Sequence, residues 1–457
     1  MPYSRERASK GGHSDIVKNP DVANFLNDCI YMKEPTDEEG ISIAKSYSPA
    51  PTDNSLPMKA VASDASPYSE PISGKFPSTQ IGYIKVSLVL IDLKDYNGLS
   101  APGSRFVDPF KVAAMHRNAD AISFTLPGSN ICYKGAQTVE EGFRRAIWEQ
   151  LSDDRTSFHK DGDFTVKGTL LDILNNNIII EKCPNSDCGH KPPGGFLFTS
   201  QTLVHNCPEC NKEVYLTDFL RIHEQISDFG NNSSAMTRFM NVVEHLIVAT
   251  LIRMLLHYQP QTLSNMAFIV DGPLAIFGQP ARISSRLQSF YYHISQTLAQ
   301  HGLQPPIILG LQKDGQLMEH ARALNQYLSI NSFRVIDDIY RKKYIVGTST
   351  ATENFGQETY YGQDFIFKTE AGRIFTVGIP YPFPNKQNQT NFAKQKADIT
   401  NYKNQIARAF DVIRHFEFDL YENAVVPIAL AHRHASISLV PGGKVLDLVT
   451  RHGLSNT

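Results

Sequence analysis

The stretch Phe268-Ile269-Val270-Asp271-Gly272-Pro273-Leu274 is an apolar, β-branched run that stops at a carboxylate and is broken at once by Gly and Pro. That pattern predicts a short buried strand whose last residue projects Asp271 from the end of a sheet. Open α/β sheets bind their ligands outside the carboxyl ends of strands. An Asp before a Gly is equally an ordinary turn residue. Its meaning depends on what the rest of the chain can bring to it.

Several other strands are expected to end in charged or polar turns. Met58 to Ser66 reads as a short apolar strand ending at Asp64, followed by a Pro/Gly/Ser-rich connection. Tyr83 to Leu93 reads as a long buried strand rich in Val, Ile and Leu. Pro306 to Leu311 reads as a third, ending at Gln312-Lys313-Asp314-Gly315. Helical spacing predicts helices over Asp108 to Asp120, Thr138 to Leu151, Ser234 to Leu256, Ser284 to Gln300, Gln316 to Ser329 and Gln395 to Phe416. Residues 163–182 read as strand material, Phe333 to Tyr344 as a helix, Phe365 to Thr369 and Ile374 to Gly378 as strands, and 380–394 as loop. Strands alternating with helices predict an α/β protein. In the helix Ser234 to Leu256, Met236, Met240, Val243, Ile247, Leu251 and Met254 form an apolar stripe, and Glu244 lies beside it. A carboxylate there is either a solvated edge residue or a group that needs a cation. Near the C-terminus, Val425 to Ala435 delivers His432 and His434, read either as satisfied core residues at a strand end or as site residues.

The chain has 457 residues, 41% hydrophobic and 20% charged, an ordinary globular mix long enough for two or three domains. Its net charge of -2 provides no broad basic field, so nucleic-acid binding would need a local positive surface or a partner. No apolar run suggests a membrane span, and Met1 to Asn19 lacks the apolar core of a signal peptide, so a cytoplasmic protein is expected. The sequon at Asn388 then carries no meaning. Residues 1–57 read as a polar arm with one helical patch, Asp21 to Met32, whose Val22, Phe25, Leu26 and Ile30 could dock on a partner. No phosphate-binding or dinucleotide Gly motif is present.

Four of the six cysteines are clustered: Cys183-x4-Cys188, then 18 residues, then Cys207-x2-Cys210. Two short-spaced pairs are the signature of a structural tetrahedral zinc site. A hairpin between them, Gly194 to Val204, makes the unit a zinc ribbon. Four reduced, unliganded thiols are the alternative, and His190 is an alternative ligand to Cys188.

Asp64, Asp271 and a helix carboxylate, Glu244, would together make a hard oxygen site suited to Mg²⁺ or Mn²⁺. Lys313 or His432 beside them could contact a phosphate or move protons. In order along the chain, VASDAS around Asp64, Arg238-x5-Glu244 on a helix, FIVDGPL, IILGLQKDGQL and ALAH resemble the NurA nuclease family. The resemblance covers most of residues 58–115 and 230–440. It implies an RNase H-like mixed sheet flanked by helices and a Mn²⁺- or Mg²⁺-dependent DNA nuclease, exo- or endonucleolytic. Such a nuclease acts as a homodimer with a HerA-like hexameric ATPase in DNA end processing or anti-phage defence. It assigns Asp64, Glu244 and Asp271 to the metal and Lys313 and His432 to catalysis. Ala65 and Pro273 depart from the family pattern, and Glu140, Glu141 or Glu149 are alternatives to Glu244. The expected organisation is an arm at 1–57, a nuclease domain at 58–165 and 226–457, and an inserted zinc ribbon at 166–225. A zinc-ribbon DNA-binding adaptor on a degenerate nuclease fold is the competing reading.

Overall fold

The computed structural model describes residues 14–29, 32–99, 108–346, 355–386, 389–418 and 424–437. Ile30 and the sequon Asn388 lie outside the described residues.

The strands in chain order are β1 (Ser48–Pro49), β2 (Lys59–Ser73), β3 (Phe76–Asp92), β4 (Ala119–Pro127), β5 (Ile178–Ile180), β6 (Phe196–Phe198), β7 (Val204–Asn206), β8 (Glu213–Tyr215), β9 (Met266–Asp271), β10 (Ile307–Gln312), β11 (Ser332–Val335), β12 (Gly362–Lys368) and β13 (Ile374–Pro380). Nine of them form one mixed sheet in the order β1-β11-β12-β13-β10-β9-β2-β3-β4. Only β2, β9 and β10, at its centre, run parallel to one another; the flanking pairs are antiparallel.

Helices cover both faces. The helices Val139–Ser152, Val166–Ile173, Ser233–Tyr258 and Ile283–Gln300 pack one face, burying Val61, Ile84, Val86, Phe268 and Val270 beneath them. The helices Asn404–Phe416 and Val426–Ala435 pack the other, over Ala60, Ala62, Val89, Ala267, Ile269, Leu309 and Leu311. Strand alternation explains the division: odd and even residues of each central strand serve opposite cores. The long helix Ser233–Tyr258 is buried nearly all round, and each fully buried Leu, Ile or Phe contributes roughly 1.5–3 kcal/mol. Contrary to the sequence expectation, this helix is long and apolar enough to cross a membrane; 67% of its apolar window is buried within the protein, as in a core helix.

Five further local expectations are corrected. β2 does not end at Asp64; it runs to Ser73 and turns tightly into β3, with Ser73 paired to Phe76. Pro67 and Pro71 suggested a break, but they fall beyond Ser63, where β9 no longer flanks β2 and the strand has become an edge that tolerates proline. Residues 166–173 are a helix, capped by Thr165 accepting from the Gly168 amide at 3.0 Å, although the stretch reads as strand. Val426–Ala435 is likewise a helix, started by Pro427 in its first turn. The helix predicted from Gln395 is two, Gln389–Ala397 and Asn404–Phe416, the first starting inside the predicted loop. The helix predicted over Phe333 to Tyr344 does not include its first residues, which instead form a strand, Ser332–Val335. Part of the arm is also anchored. Ile43 of the helix Asp37–Ala44 joins an apolar cluster with Leu317 and Tyr340, and β1 pairs with β11. The helix Pro20–Asp28 buries nothing, and its Phe25 and Leu26 are exposed.

β5 to β8 form two small hairpins beside the helix Val139–Ser152. They are tied to it by a buried ionic group. The Arg144 guanidinium grips both oxygens of Asp218 at 2.8 and 2.6 Å and donates to Asn185 at 2.7 Å. Arg144→Ala is expected to cost about 3–5 kcal/mol in urea unfolding, because it strands a buried carboxylate. Arg144→Lys should recover only part, since an ammonium cannot reproduce the fork. A loss under 1 kcal/mol for the alanine variant would contradict this.

Candidate active site and a four-thiol cluster

The position of Asp64 follows from register. β2 and β9 are paired in parallel from Lys59↔Met266 to Ser63↔Val270. The next residues along, Asp64 and Asp271, are therefore level. Gly272 then turns the chain away with φ of +104°, a conformation that favours glycine. Gly310 of β10 makes room for the turn: a Cβ there would sit 2.5 Å from the Gly272 carbonyl oxygen. β2 continues while β9 departs, and the notch left between them holds the two carboxylates.

Around them the structure assembles the predicted residues. Lys313, just beyond β10, donates to Asp271 Oδ2 at 2.6 Å. His432, on the helix laid across the sheet, bonds through Nδ1 to Asp64 Oδ2 at 2.8 Å. His432 is no core histidine: its side chain is 57% exposed, while that of Asp64 is 6% exposed. One ligand atom each from Asp64, Asp271 and His432 falls within 4.8 Å of the others, a spacing that could hold a divalent cation.

Glu244 comes from the other side. Its helix covers the opposite face, and Glu244 Oε1 accepts from Ser63 Oγ at 3.3 Å. It is buried, not a solvated edge residue. Burial, then the charges of Asp64 and Asp271, push its carboxyl well above the usual range. Asp271 is pushed up to about 7 by burial, with Lys313 opposing and Asp64 adding to the rise. Asp64 and Asp271 thus face one ammonium and one imidazole, while Glu244, on the opposite face, lies outside the group of ligand atoms that Asp64, Asp271 and His432 bring together. The carboxylate oxygens of Asp64 and Asp271, with His432, are close enough together to hold a divalent cation. Of the alternatives to Glu244, Glu141 and Glu149 are in ion pairs with Lys212 and Lys134 instead.

Sequence reading missed the supports. Ser63 precedes Asp64 on the other face and anchors Glu244. His245 and Tyr361, both fully enclosed, share a 2.6 Å hydrogen bond next to Glu244. Burial drives His245 down to about 4, so its ring is neutral. The Tyr361 amide donates to the Leu274 carbonyl at 2.9 Å, tying this pair to the turn after Asp271. No local pattern announces such a pair, because its two members are far apart in the chain.

The second cluster is Cys183, Cys188, Cys207 and Cys210, whose sulfurs lie within 4.8 Å of one another. The Cys183–Cys210 and Cys188–Cys207 Sγ separations are each 3.8 Å, far beyond the roughly 2.05 Å of a disulfide. Asn185 Nδ2 donates to Cys183 Sγ at 3.2 Å, and Arg144 holds Asn185 in place. Cys207 is lowered to about 7: burial raises it, but the amides of Cys210 and Glu209 outweigh burial. The His190 main-chain carbonyl accepts from the Cys183 amide at 2.7 Å, and the cluster of close ligand atoms comprises the four sulfurs without the His190 ring. Four soft donors at one point form a metal-binding set.

No protein-family model matches the sequence, and no curated protein matches it. A crystal structure of the NurA nuclease from Sulfolobus solfataricus aligns over 98% of this chain and 99% of its own, with 10% identity and a TM-score of 0.34. A likeness that slight carries no argument about chemistry, which rests on the geometry above.

Proposed function

We propose that the protein is a DNA nuclease that hydrolyses phosphodiesters with Mg²⁺ or Mn²⁺ held by Asp64, Asp271 and Glu244. One observation carries this reading: two carboxylates from separate strands stand level in a notch of the sheet, each already bonded to a basic side chain. When bound, such ions activate water and stabilise the leaving oxygen. The chain's own residues supply the rest. Asp64 and Asp271 fix the donor oxygens, Glu244 adds negative charge from behind, and Ser63 orients Glu244. Lys313 is placed to meet a phosphate oxygen, and His432, open to solvent, is placed to accept or deliver a proton. The RNase H-like reading of the fold is supported by the antiparallel meander β2-β3-β4 joined through β2 to the parallel pair β9 and β10. A DNA-binding adaptor would have no need of this constellation.

We propose Zn²⁺ for the four thiols. A tetrahedron with Zn–S bonds of about 2.3 Å has S···S edges of about 3.8 Å, and two edges here are 3.8 Å. A zinc with four protein ligands is structural. For a partner, the expected HerA-like hexameric ATPase and homodimer remain proposals. The exposed Phe25 and Leu26 of the unanchored helix Pro20–Asp28 support docking through that helix.

Asp64→Ala and Asp271→Asn should each abolish Mn²⁺-dependent degradation of linear DNA without unfolding the protein. Asp271→Asn should also change the pH dependence of stability without metal. The folded value of about 7 lies above the roughly 3.9 of an unfolded Asp. The folded state therefore binds this proton more tightly; the stabilisation is full below about pH 4 and lost as pH rises through 7. Melting scans in EDTA should show wild type losing stability over that window and the variant losing less. Near-normal turnover in either variant removes the site assignment.

Elemental analysis of protein purified without chelators should find one zinc per chain, and Cys207→Ser should lower it. Absence of zinc would rule out the ribbon.

Deleting residues 1–28 should abolish co-elution with a HerA-like ATPase while leaving the melting temperature unchanged. Undiminished co-elution would exclude the helix as the docking element.

A further inference from the structure

A cavity of about 260 Å³ lies at the end of the sheet remote from the carboxylates. Its floor is Pro305 to Ile308, where β10 begins, and Ile379 to Pro382, where β13 ends. From Ile307 to Leu311, the partner of Asp271, β10 advances about 13 Å. The helix Ile283–Gln300 closes one side of the cavity and the start of the helix Asn404–Phe416 the other. Among the described residues that line it there is no Asp or Glu, but there are two cations, Lys403 and Arg408.

Arg408 is only 7% exposed. Its Nη1 donates to the Pro305 carbonyl at 2.8 Å, and it pairs with no carboxylate among the described residues. Arg144 and Arg341, likewise buried, are each held by a buried aspartate, Asp218 and Asp364. Burial pulls Arg408 below the usual guanidinium range, with the charge of Asp53 opposing, yet a guanidinium stays cationic at neutral pH. A buried charge calls for a counter-ion. Gln405 and Arg408 are three residues apart and share one face of their helix. Gln405 Oε1 is closed off from solvent without a hydrogen-bond partner. The N-cap of that helix, Lys403, supplies no side-chain cap, and first-turn amides left uncapped attract anions.

We propose that this cavity binds a small phosphate monoester carrying hydroxyl groups, with its phosphate on Arg408 and Lys403 and a hydroxyl donating to Gln405 Oε1. The site goes beyond the nuclease reading and does not depend on it. Two cations and an uncapped helix start match the near-double charge of a phosphate monoester at pH 7; a carboxylate carries one charge where the site offers two. The bond from Arg408 Nη1 to Pro305 leaves Nε and Nη2, the edge that grips two phosphate oxygens at once. The prolines and tyrosines of the wall offer apolar surface to a carbon skeleton.

The test is isothermal titration calorimetry of the full-length protein with ribose 5-phosphate, ribose and inorganic phosphate. EDTA is present, so that no divalent ion draws phosphate to Asp64 and Asp271. Wild type should bind one ribose 5-phosphate per chain, more tightly than inorganic phosphate, and should not bind ribose. Arg408→Gln should weaken the ester at least about tenfold, and Lys403→Gln about threefold. Lys403 is exposed, so its variant reads the site even where Arg408→Gln fails to fold. Lys313→Ala, at the other end of β10, should leave the affinity unchanged. No binding of ribose 5-phosphate, or undiminished binding by Lys403→Gln or by folded Arg408→Gln, overturns the site. So does loss of binding in Lys313→Ala, which would move the phosphate to the carboxylate notch. Inorganic phosphate bound as tightly as the ester overturns the organic ligand. No cutting is read, so these outcomes stand whether or not the protein cleaves DNA.

Discussion

The parallel pairing of β2 with β9 is the constraint on which the site depends. It ends at Ser63↔Val270, so the next residue on each strand is an aspartate at the same level. A shift of one residue in either strand would turn one carboxylate to the opposite face, because side chains alternate with a period of two. The register is held by the cores on both sides: Val61 and Phe268 face one, Ala62 and Ile269 the other. Small residues serve the crowded face, since Ala60, Ala62 and Ala267 let the helix Val426–Ala435 lie close enough for His432 to reach Asp64.

Charge is distributed around this constraint in a consistent way. The basic side chains at the notch, Lys313 and His432, stand on the solvent side, whereas Glu244 closes it from within. Burial is the largest cause of the raised Asp271 and Glu244 carboxyls, and the charge of Asp64 adds to both. The four-thiol cluster shows the same logic with softer donors. Its supporting cation, Arg144, is fully committed to Asp218, Asn185 and the Glu213 carbonyl.

Much of the site was legible in the sequence because each residue sits in a local pattern. Asp271 ends an apolar run before Gly-Pro, Lys313 follows another such run, and the cysteines come in short pairs. Asp64 was found for a partly mistaken reason. It lies inside a long strand, and what ends beside it is its neighbour β9, a fact of pairing that no window of sequence contains. The helices at Val166–Ile173 and Val426–Ala435 escape a reading by period because apolar, β-branched or short runs fit either period; the Thr165 cap of the first and Pro427 in the first turn of the second are the readable signals. The His245–Tyr361 pair and the Arg144–Asp218 grip are long-range contacts between residues that look ordinary alone.

The long stretch of chain between β2 and β9 has a cost in time. β2 and β9 are separated by about 200 residues, from Lys59 to Met266, and a contact that distant closes slowly. During synthesis the meander β2-β3-β4 emerges first, with the inner edge of β2 bare. At about 5–20 residues per second, β9 follows roughly 10–40 s later. For that interval the growing chain displays Val61, Ala62 and Ser63 along an open strand edge, the geometry that invites pairing with another chain. That exposure falls on the segment that later holds Asp64, before its partner strand exists.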